Sequence, residues 1–437
     1  MKITIFRADQ GDCLLLGSSG GTHILVDGGT REAYKRQIGA ALGLLAEAKT
    51  PIDLVCLSHI DDDHIGGIRQ LMDDLAAWRV FDYQVSTGNN GFKKPEVPRP
   101  PEVFALWHNA FKDQVGDNSA EIESQLVANA RVVNLNPRLI DASISHHAEE
   151  YGNLATGVKD ALLLARRISP RQLKIPVNKP FKGWLVMVDR SDGLPGKVAV
   201  GDIGLTVIGP FKEDLRRLRT EWNRWLAKNK AAVREIRKQA KEDEALYPMN
   251  EGQLVLSSLL ALAAELGKRG AVTLPNLASI MLLVEADGKT LLMTGDGHAD
   301  DILKGLKRQR KLDGDGRIHL DVLKVQHHAS EHNIHQAFCD AVSADHYIFC
   351  ADGAHENPDL DAIQAILDSR LGAGEEGAQA GRPFKFWFSG SAETSLSEDR
   401  SDHMRKVEEL IKKAAGKSKG RLRFKFLRQG ARLQFTV

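Results

Sequence analysis

The stretch Leu57-Ser58-His59-Ile60-Asp61-Asp62-Asp63-His64-Ile65-Gly66-Gly67 places three consecutive carboxylates between two imidazoles. Three neighbouring aspartates repel one another at neutral pH, and a divalent cation held by carboxylate oxygens and neutral imidazoles relieves that repulsion. The alternative is an acidic helix N-terminus, because aspartate is favoured at the N-cap and in the first helical turn. That alternative explains one or two aspartates but neither His59 nor His64. The stretch therefore predicts a site for divalent metal.

An apolar segment precedes this stretch and a helical pattern follows it. Residues 53–57 predict a buried strand, and residues 65–75 carry apolar side chains at helical spacing, so the stretch occupies a strand-to-helix turn. The two glycines would let the backbone turn tightly beside the site. Ligands on the two sides of this turn would suit two metal ions. We expect the two sides to be formed by His59 with Asp61 and by Asp63 with His64.

The pattern His-x-Asp-x-Asp-His, followed by two glycines, resembles the metal motif of the metallo-β-lactamase superfamily, in the variant where Asp replaces the second His. That variant is similar to the ComEC-type domain of DNA-uptake proteins. Residues 26–29 (Val-Asp-Gly-Gly) resemble the superfamily's first motif. Residues 291–296 (Leu-Leu-Met-Thr-Gly-Asp) resemble the strand that ends in the metal-bridging Asp, and residues 323–330 (Leu-Lys-Val-Gln-His-His-Ala-Ser) resemble the later histidine motif.

The resemblance implies a site for two divalent metal ions, Zn²⁺ or Mn²⁺. Mn²⁺ competes because the carboxylate of Asp61 replaces an imidazole and hardens the first site. The implied metal ligands are His59, Asp61, Asp63, His64, Asp296 and His327. Asp63 is also expected to accept a proton during catalysis. Read alone, Asp296 could instead cap a helix that begins near Ala299, and an isolated His is more often a hydrogen-bonded core or surface residue.

Four residues are expected to support the ligands or contact substrate: Asp27, Asp62, Asn276 and His328. Asp27 would accept a hydrogen bond from a ligand His and fix its orientation, or it is simply a turn residue. His355 lies near, but shifted from, a Gly-His-Pro-His-like family loop; it could bind phosphate or donate a proton to the leaving group, or lie at the rim of the site. Superfamily members commonly supply another His to the first metal; no residue stands out for this position, and His147, within the insertion, is considered as a ligand.

The resemblance implies an α/β fold, the metallo-β-lactamase αβ/βα four-layer sandwich, with an inserted, mostly helical segment. We expect the first half of the fold in residues 1–90, the insertion in 91–273 and the second half in 274–437. The insertion would open with a flap near the cleft, and its further elements are predicted as follows: helices at 102–112 and 119–130, strands at 184–188 and 203–208, and a long basic helix at 211–246.

Charge and composition limit the possible partners. The 59 Lys and Arg residues against 58 Asp and Glu leave a formal charge of +1, so any binding of a polyanion must be local. The basic helix could contact phosphates, or it is a solvated face with i,i+4 pairs; residues 412–432 are more one-sidedly basic. Four cysteines without a CxxC pair, and no apolar run long enough to span a bilayer, favour a cytoplasmic protein with no membrane contact.

These features predict a metal-dependent hydrolase, most directly a phosphodiesterase or nuclease that acts through a metal-bound hydroxide on nucleic acid or another phosphodiester. The first alternative is a hydrolase of a small ester, thioester or lactam. The second is a binding or scaffold protein with a degenerate site, because a first-metal His is missing and His355 is shifted. Metal content separates the second alternative from the two enzymes.

Overall fold

The computed structural model describes residues 1–109, 160–188 except 162 and 166, 196–215, 278–372 and 381–437. Its strands are β1 Lys2–Phe6, β2 Leu14–Gly17, β3 His23–Val26, β4 Leu54–Cys56, β5 Leu106–Trp107, β6 Lys197–Val200, β7 Ile203–Gly209, β8 Met281–Ala286, β9 Lys289–Met293, β10 Ile318–Lys324, β11 Val342–Phe349, β12 Phe384–Phe388, β13 Leu422–Phe426 and β14 Arg432–Thr436. Its main helices are α1 Gly39–Glu47, α2 Asp62–Ser86, α3 Ala299–Arg308, α4 Gln336–Ala341, α5 Leu360–Leu371 and α6 Glu398–Lys417.

The strands form two sheets that pack face to face. The first sheet has the order β14-β1-β2-β3-β4-β5 and the second the order β13-β12-β11-β10-β9-β8-β7-β6. One apolar cluster joins the two sheets, for example through Leu16 of the first and Leu282 of the second. A second cluster packs α1 and α2 on the first sheet, and a third packs α3 to α6 on the second. The fold is therefore the predicted four-layer metallo-β-lactamase sandwich.

Parallel pairing decides where the functional loops meet. β3 pairs with β4 in parallel, and β9 to β13 run parallel to one another. The carboxyl ends of parallel strands lie at the same edge of a sheet, where the loops that follow them can converge. Those loops begin with Asp27 after β3, lead to His59 after β4, and carry Asp296 and His327 after β9 and β10.

The hairpin of β8 and β9 is confirmed. The strands pair antiparallel from Leu282 with Met293 to Ala286 with Lys289. The turn residues Asp287 and Gly288 both have positive φ, 54° and 71°. Two such residues form the type of turn whose twist matches antiparallel strands.

Described residues within the predicted insertion, 91–273, extend both sheets, while the domain boundaries themselves stay a prediction. β5 extends the first sheet beside β4, and β6 and β7 extend the second beside β8. The predicted helix at 102–112 is wrong where described, because residues 106 and 107 form β5. Residues 184–188 are not a strand; the backbone of Val186 instead pairs with the side chain of Asn109. The strand predicted at 203–208 is present as β7.

The loop at residues 88–101 does not lie near the cleft as expected of a flap. The indole of Trp78 donates a hydrogen bond to the carbonyl of Val97 (3.1 Å), and the guanidinium of Arg99 lies 4.2 Å from the centre of its ring. Trp78 follows Asp62 by sixteen residues of helix, or about 24 Å at 1.5 Å per residue. The loop therefore packs on the far part of α2.

Several predictions fall wholly or partly outside the described residues: His147, Asn276, the helix at 119–130 and the basic helix beyond residue 215. The four cysteines are buried free thiols, namely Cys13, Cys56, Cys339 and Cys350. Among the described helices, none combines the length and the apolar character needed to cross a membrane.

Candidate metal centre

The predicted turn places Asp61 at the N-cap of α2, with extended backbone angles (φ −67°, ψ 146°). Asp62 and Asp63 follow in the first helical turn. The acidic helix start is therefore real, but the Asp61 side chain accepts no capping hydrogen bond from the helix. Its carboxylate remains available to a ligand.

Gly66 and Gly67 serve close packing and not a tight turn, because both lie inside α2. The backbone N–H of Gly28 donates to the carbonyl of His64 (2.9 Å), and that of Gly67 donates to the carbonyl of Gly29 (2.9 Å). A Cβ atom on Gly67 would collide with the carbonyl group of Gly28. The glycines thus allow the loop after β3 to lie directly against the start of α2.

Asp296 lies at the centre of a cluster of imidazoles. Its Oδ1 is 3.4 Å from Nε2 of His64. Its Oδ2 is 3.6 Å from Nε2 of His59. Two more Nε2 atoms approach Oδ2, those of His328 at 3.5 Å and His327 at 3.7 Å. One carboxylate therefore faces four imidazoles.

The other two predicted carboxylates flank this cluster. Oδ2 of Asp61 is 3.5 Å from Nε2 of His59. Oδ1 of Asp63 is 3.9 Å from Nε2 of His64, and its Oδ2 is 3.2 Å from Nε2 of His328. The structure thus brings together all six residues predicted as metal ligands.

His328 was expected only to support the ligands, and the structure revises that expectation. Residues 327–329 all have positive φ, 44°, 53° and 64°. This left-handed turn brings the rings of both His327 and His328 to Asp296, although adjacent side chains usually point apart. His328 therefore joins the candidate ligands.

The ligand atoms fit a divalent metal. Within the described part of the chain, the buried polar atoms at the cluster that have no hydrogen-bond partner include His59 Nε2, His64 Nε2, Asp61 Oδ1 and Asp296 Oδ1. An unpaired buried polar atom is costly, so several at one place call for a partner such as a bound ion. Single ligand atoms of His59, His64 and Asp296 lie within 4.8 Å of one another, and so do those of Asp12, His64 and His328.

Polar contacts at Nδ1 orient the imidazole rings of His59 and His64. Asp27 accepts hydrogen bonds from Nδ1 of His64 (3.0 Å) and from the N–H and O–H of Ser58 (2.7 Å each). The Ser58 hydroxyl also lies 3.0 Å from Nδ1 of His59. Such contacts fix the tautomer and direction of metal-binding histidines. Asp27 thus lies where the sequence predicted.

The two later histidines have partners of their own. Nδ1 of His327 lies 2.6 Å from the side-chain oxygen of Asn333, whose amide group donates to the carbonyl of Asp296 (3.0 Å). Nδ1 of His328 lies 2.8 Å from the carbonyl oxygen of Cys350. Each ring therefore presents Nε2 to the cluster.

Asp12 and Lys324 belong to the site but were not predicted. The ammonium group of Lys324 contacts the carboxylate of Asp12 and lies 3.9 Å from Oδ1 of Asp296. Oδ1 of Asp12 is also 3.4 Å from Nδ1 of His328. A lysine within the otherwise apolar segment 322–325 was the available signal, because lysine is rarely buried unless it is paired.

The electrostatics of the metal-free cluster follow from this crowding. Burial alone would lower the pKa of His64, but the carboxylates of Asp296 and Asp63 raise it well above the usual value. Burial likewise opposes the charge on His328, yet Asp296 and other carboxylates raise its pKa to about 10. In return, these imidazoles hold the pKa of Asp63 low against the effect of burial.

Two predicted residues stand apart from the cluster. Burial, and then the carboxylates of Asp160 and Asp63, raise the pKa of Asp62 to about 7. His355 is exposed on the short turn Ala354–Glu356 after β11. The expected catalytic part of His355 stays a prediction.

The cluster opens to solvent on one side. The side chains of Asp61 and His327 are each 18% exposed and that of Asp63 is 13% exposed. In contrast, the side chains of His64 and His59 are 0% and 2% exposed. A substrate can therefore approach from the side of Asp61, Asp63 and His327.

Comparison with known proteins gives a partial match. Residues 6–77 match the family model described as "Metallo-beta-lactamase superfamily". The chain is similar to the crystal structure of Zn²⁺-bound PqqB from Methylobacterium extorquens, at 10% identity over 100% of both chains with a TM-score of 0.32. No curated protein matches.

The family match covers β2 to β4 and most of α2, a stretch that includes the His-x-Asp-x-Asp-His turn and Asp27. The rest of the cluster comes from later strands of the same sandwich. The match to the metallo-β-lactamase superfamily model is thus confined to residues 6–77, which hold the first part of the cluster.

Proposed function

We propose that the protein is a metal-dependent phosphodiesterase whose substrate is a nucleic acid. The observation that carries the proposal is the convergence of unpaired imidazole nitrogens and carboxylate oxygens around Asp296. These atoms are the ligands that divalent metals take in hydrolytic sites.

The charge of the site supports two metal ions. Five carboxylates contact the imidazoles or Lys324, namely Asp12, Asp27, Asp61, Asp63 and Asp296. Lys324 contributes one positive charge, so two divalent ions bring the site to neutrality when the imidazoles are uncharged. With fewer ions the site would repel a phosphodiester. We therefore expect activity to require both ions.

The residues of the cluster can be assigned to metal binding and to proton transfer. His59 with Asp61, and Asp63 with His64 and His328, would hold the two ions, and Asp296 faces the histidines of both groups. When bound, such ions lower the pKa of water and stabilise negative charge on phosphate oxygens. Asp63 is ionised and near the open side, so it is placed to accept a proton from the attacking water.

The ligand set favours phosphodiesters over carbonyl substrates. Three of the ligand side chains are carboxylates, which suit hard ions such as Mn²⁺ as well as Zn²⁺. Hard ions bind phosphate oxygens well. Hydrolysis of a small ester, thioester or lactam remains the alternative, and the experiment must distinguish it from phosphodiester hydrolysis.

The test is hydrolysis by metal-stripped protein that is re-supplied with Mn²⁺ or Zn²⁺. The substrates are single- and double-stranded DNA and RNA, bis-p-nitrophenyl phosphate, and p-nitrophenyl acetate. Asp296→Ala tests the site, and Asp321→Ala is the matched control, because Asp321 pairs with Lys289 on the same sheet and outside the cluster.

We expect the unmodified protein to cleave polynucleotides once metal is restored. Asp296→Ala should abolish this cleavage, and Asp321→Ala should retain it. Cleavage of the small diester alone would support a phosphodiesterase but refute the nucleic-acid substrate. Cleavage of the acetate ester alone would overturn the proposal in favour of carbonyl chemistry. Loss of all hydrolysis in a fully metal-loaded protein would overturn it in favour of a binding role.

A further inference from the structure

The open edge of the second sheet carries three cations on one face. β12 and β13 pair in parallel, with Lys385 opposite Arg423 and Trp387 opposite Lys425. Paired residues, and residues two apart on a strand, project to the same side of a sheet. Lys385, Arg423 and Lys425 therefore share a face, and we call them the basic strand cluster.

No acidic group neutralises this cluster within the described part of the chain. Neighbouring cations do have partners: Arg382 pairs with Asp345, and Arg428 pairs with Glu393 and Glu408. Burial, and then the charges of Lys425 and Arg423, lower the pKa of Lys385. The three cations thus repel one another, and an anion placed between them would be attracted.

Aromatic packing holds Lys385 in place. Its ammonium group lies 3.7 Å from the centre of the Trp387 ring. That ring stacks on Phe435 of β14, with 4.2 Å between centres and 8° between planes. The cation is therefore positioned by an aromatic face, which leaves its N–H groups to an external acceptor.

Protection of the sheet edge does not explain the whole cluster. Cations on an edge strand discourage pairing with another chain, and this can account for Arg423 and Lys425 on β13. Lys385 lies on β12, which is covered by strands on both sides. A cation there needs another reason.

We propose that the basic strand cluster binds the phosphate backbone of a nucleic acid strand, outside the metal centre. Cations two residues apart on a strand are about 7 Å apart, and neighbouring strands are about 4.8 Å apart, so the cluster can contact successive phosphates. None of the large exposed apolar side chains of the described residues lies on β12 or β13, so insertion into a lipid surface is not favoured.

The position of the cluster indicates a polymeric substrate. β13 lies three strands from β10, or about 14 Å across the sheet at 4.8 Å per strand, and β10 leads to the metal-site histidines. A mononucleotide diester would not span both. This inference rests on the proposed function for the class of ligand, but binding can be measured without hydrolysis.

The experiment is fluorescence anisotropy of labelled 20-nucleotide single-stranded DNA and RNA with metal-stripped protein in EDTA, over a salt series. The test variant is Lys385→Gln with Arg423→Gln and Lys425→Gln. The control is Lys35→Gln with Lys49→Gln and Lys307→Gln, three exposed lysines elsewhere with the same change of charge. Melting temperature and re-loaded metal content check the folding of each variant.

We expect the test variant to bind at least tenfold more weakly and to reduce the slope of log affinity against log salt by about 2, because three phosphate contacts are lost. The control should keep both values. Because Lys385 packs on Trp387, the double variant Arg423→Gln with Lys425→Gln provides a test that leaves the aromatic stack intact, and it should still lose affinity.

Equal binding by the test and control variants would overturn the inference. So would the absence of oligonucleotide binding by the unmodified protein, or binding of anionic phosphatidylserine vesicles in its place. The two proposals can be refuted independently. Hydrolysis of bis-p-nitrophenyl phosphate without oligonucleotide binding would refute the binding surface but still support a phosphodiesterase. Binding that depends on the basic strand cluster, without any hydrolysis, would support the binding surface and refute the phosphodiesterase.

Discussion

The ammonium group of Lys324 contacts the carboxylate of Asp12, and both side chains are almost completely buried beside the metal centre. The same ammonium group donates a hydrogen bond to the carbonyl of Gly295 (3.1 Å) and lies 3.9 Å from Oδ1 of Asp296. Lys324 thus acts as a fixed cation among carboxylates. It neutralises part of their charge before any metal binds.

Replacing Lys324 with Met should strongly destabilise the metal-free protein. The change leaves the buried carboxylate of Asp12 without its partner, and breaking a buried ion pair costs about 3–5 kcal/mol. Divalent metal should recover more stability in this variant than in the unmodified protein, because bound ions supply positive charge at the same place. Chemical denaturation in EDTA and in Mn²⁺ measures both effects.

The matched control is Lys289→Met, which removes a partly exposed ion pair with Asp321 (2.9 Å) on the same sheet. Pairs of this kind contribute about 0–1 kcal/mol. Similar losses in the two variants would contradict the special position of Lys324.

Asp27→Asn should weaken metal binding while the fold persists. Asp27 accepts the hydrogen bond from Nδ1 of His64, so an amide at this place no longer fixes the ring in one tautomer. Mutation of residues that hydrogen-bond to metal-binding histidines typically lowers metal affinity by about 10–100-fold. Competition with a chelator of known affinity measures the loss.

Asp53→Asn is the control for this change, because Asp53 also accepts a backbone hydrogen bond, from His23 (2.8 Å), but contacts no histidine of the cluster. Its metal affinity should stay within about twofold of the unmodified protein. An unaltered affinity in Asp27→Asn would show that the ring is held in other ways.

The stabilising effect of metal should increase with pH. The folded-state pKa of His328 is about 10 and that of His64 is also raised, because carboxylates outweigh the effect of burial. Against an unfolded value of about 6.5, the protonated rings stabilise the metal-free protein fully below that pH, and this contribution is lost as pH rises toward 10. Metal must displace the same protons, so its affinity rises over this range.

Melting temperatures in EDTA and in saturating Mn²⁺ check this prediction. The EDTA value should fall between pH 6.5 and 9, and the difference between the two values should grow. A difference that does not change with pH would mean that the imidazoles are neutral before metal binds.

The sequence predicted the parts of the site that are local in the chain. The turn from His59 to His64 and the hairpin before Asp296 follow from spacing and strand patterns that a few neighbouring residues determine, whereas the role of Asp27 was implied by the family resemblance. Their meeting at one sheet edge follows from parallel pairing. The family resemblance placed these segments in one fold.

The errors arise where distant contacts decide. β5 has two residues, and its pairing with β4 outweighs the local helical pattern. Lys324 and Asp12 become partners only when the second sheet packs on the loop after β1. The two adjacent histidines face one carboxylate because residues 327–329 adopt a left-handed turn. The residue types at these positions do not predict such a turn.

Gly67→Ala should destabilise the protein and weaken metal binding together. The added Cβ would collide with the carbonyl of Gly28, which follows Asp27 directly. Overpacking of this kind typically costs about 1–3 kcal/mol. Because the loop that would move carries the carboxylate behind His64, chelator competition should detect the displacement as a lower metal affinity.

Gly416→Ala provides the opposite control within a helix. A Cβ on Gly416 of α6 meets no atom within 4 Å. Alanine is favoured over glycine in a helix by about 1 kcal/mol, so this variant should be slightly more stable and bind metal normally. If Gly67→Ala gained stability in the same way, the close approach of the loop after β3 and the start of α2 would not hold Asp27 in place.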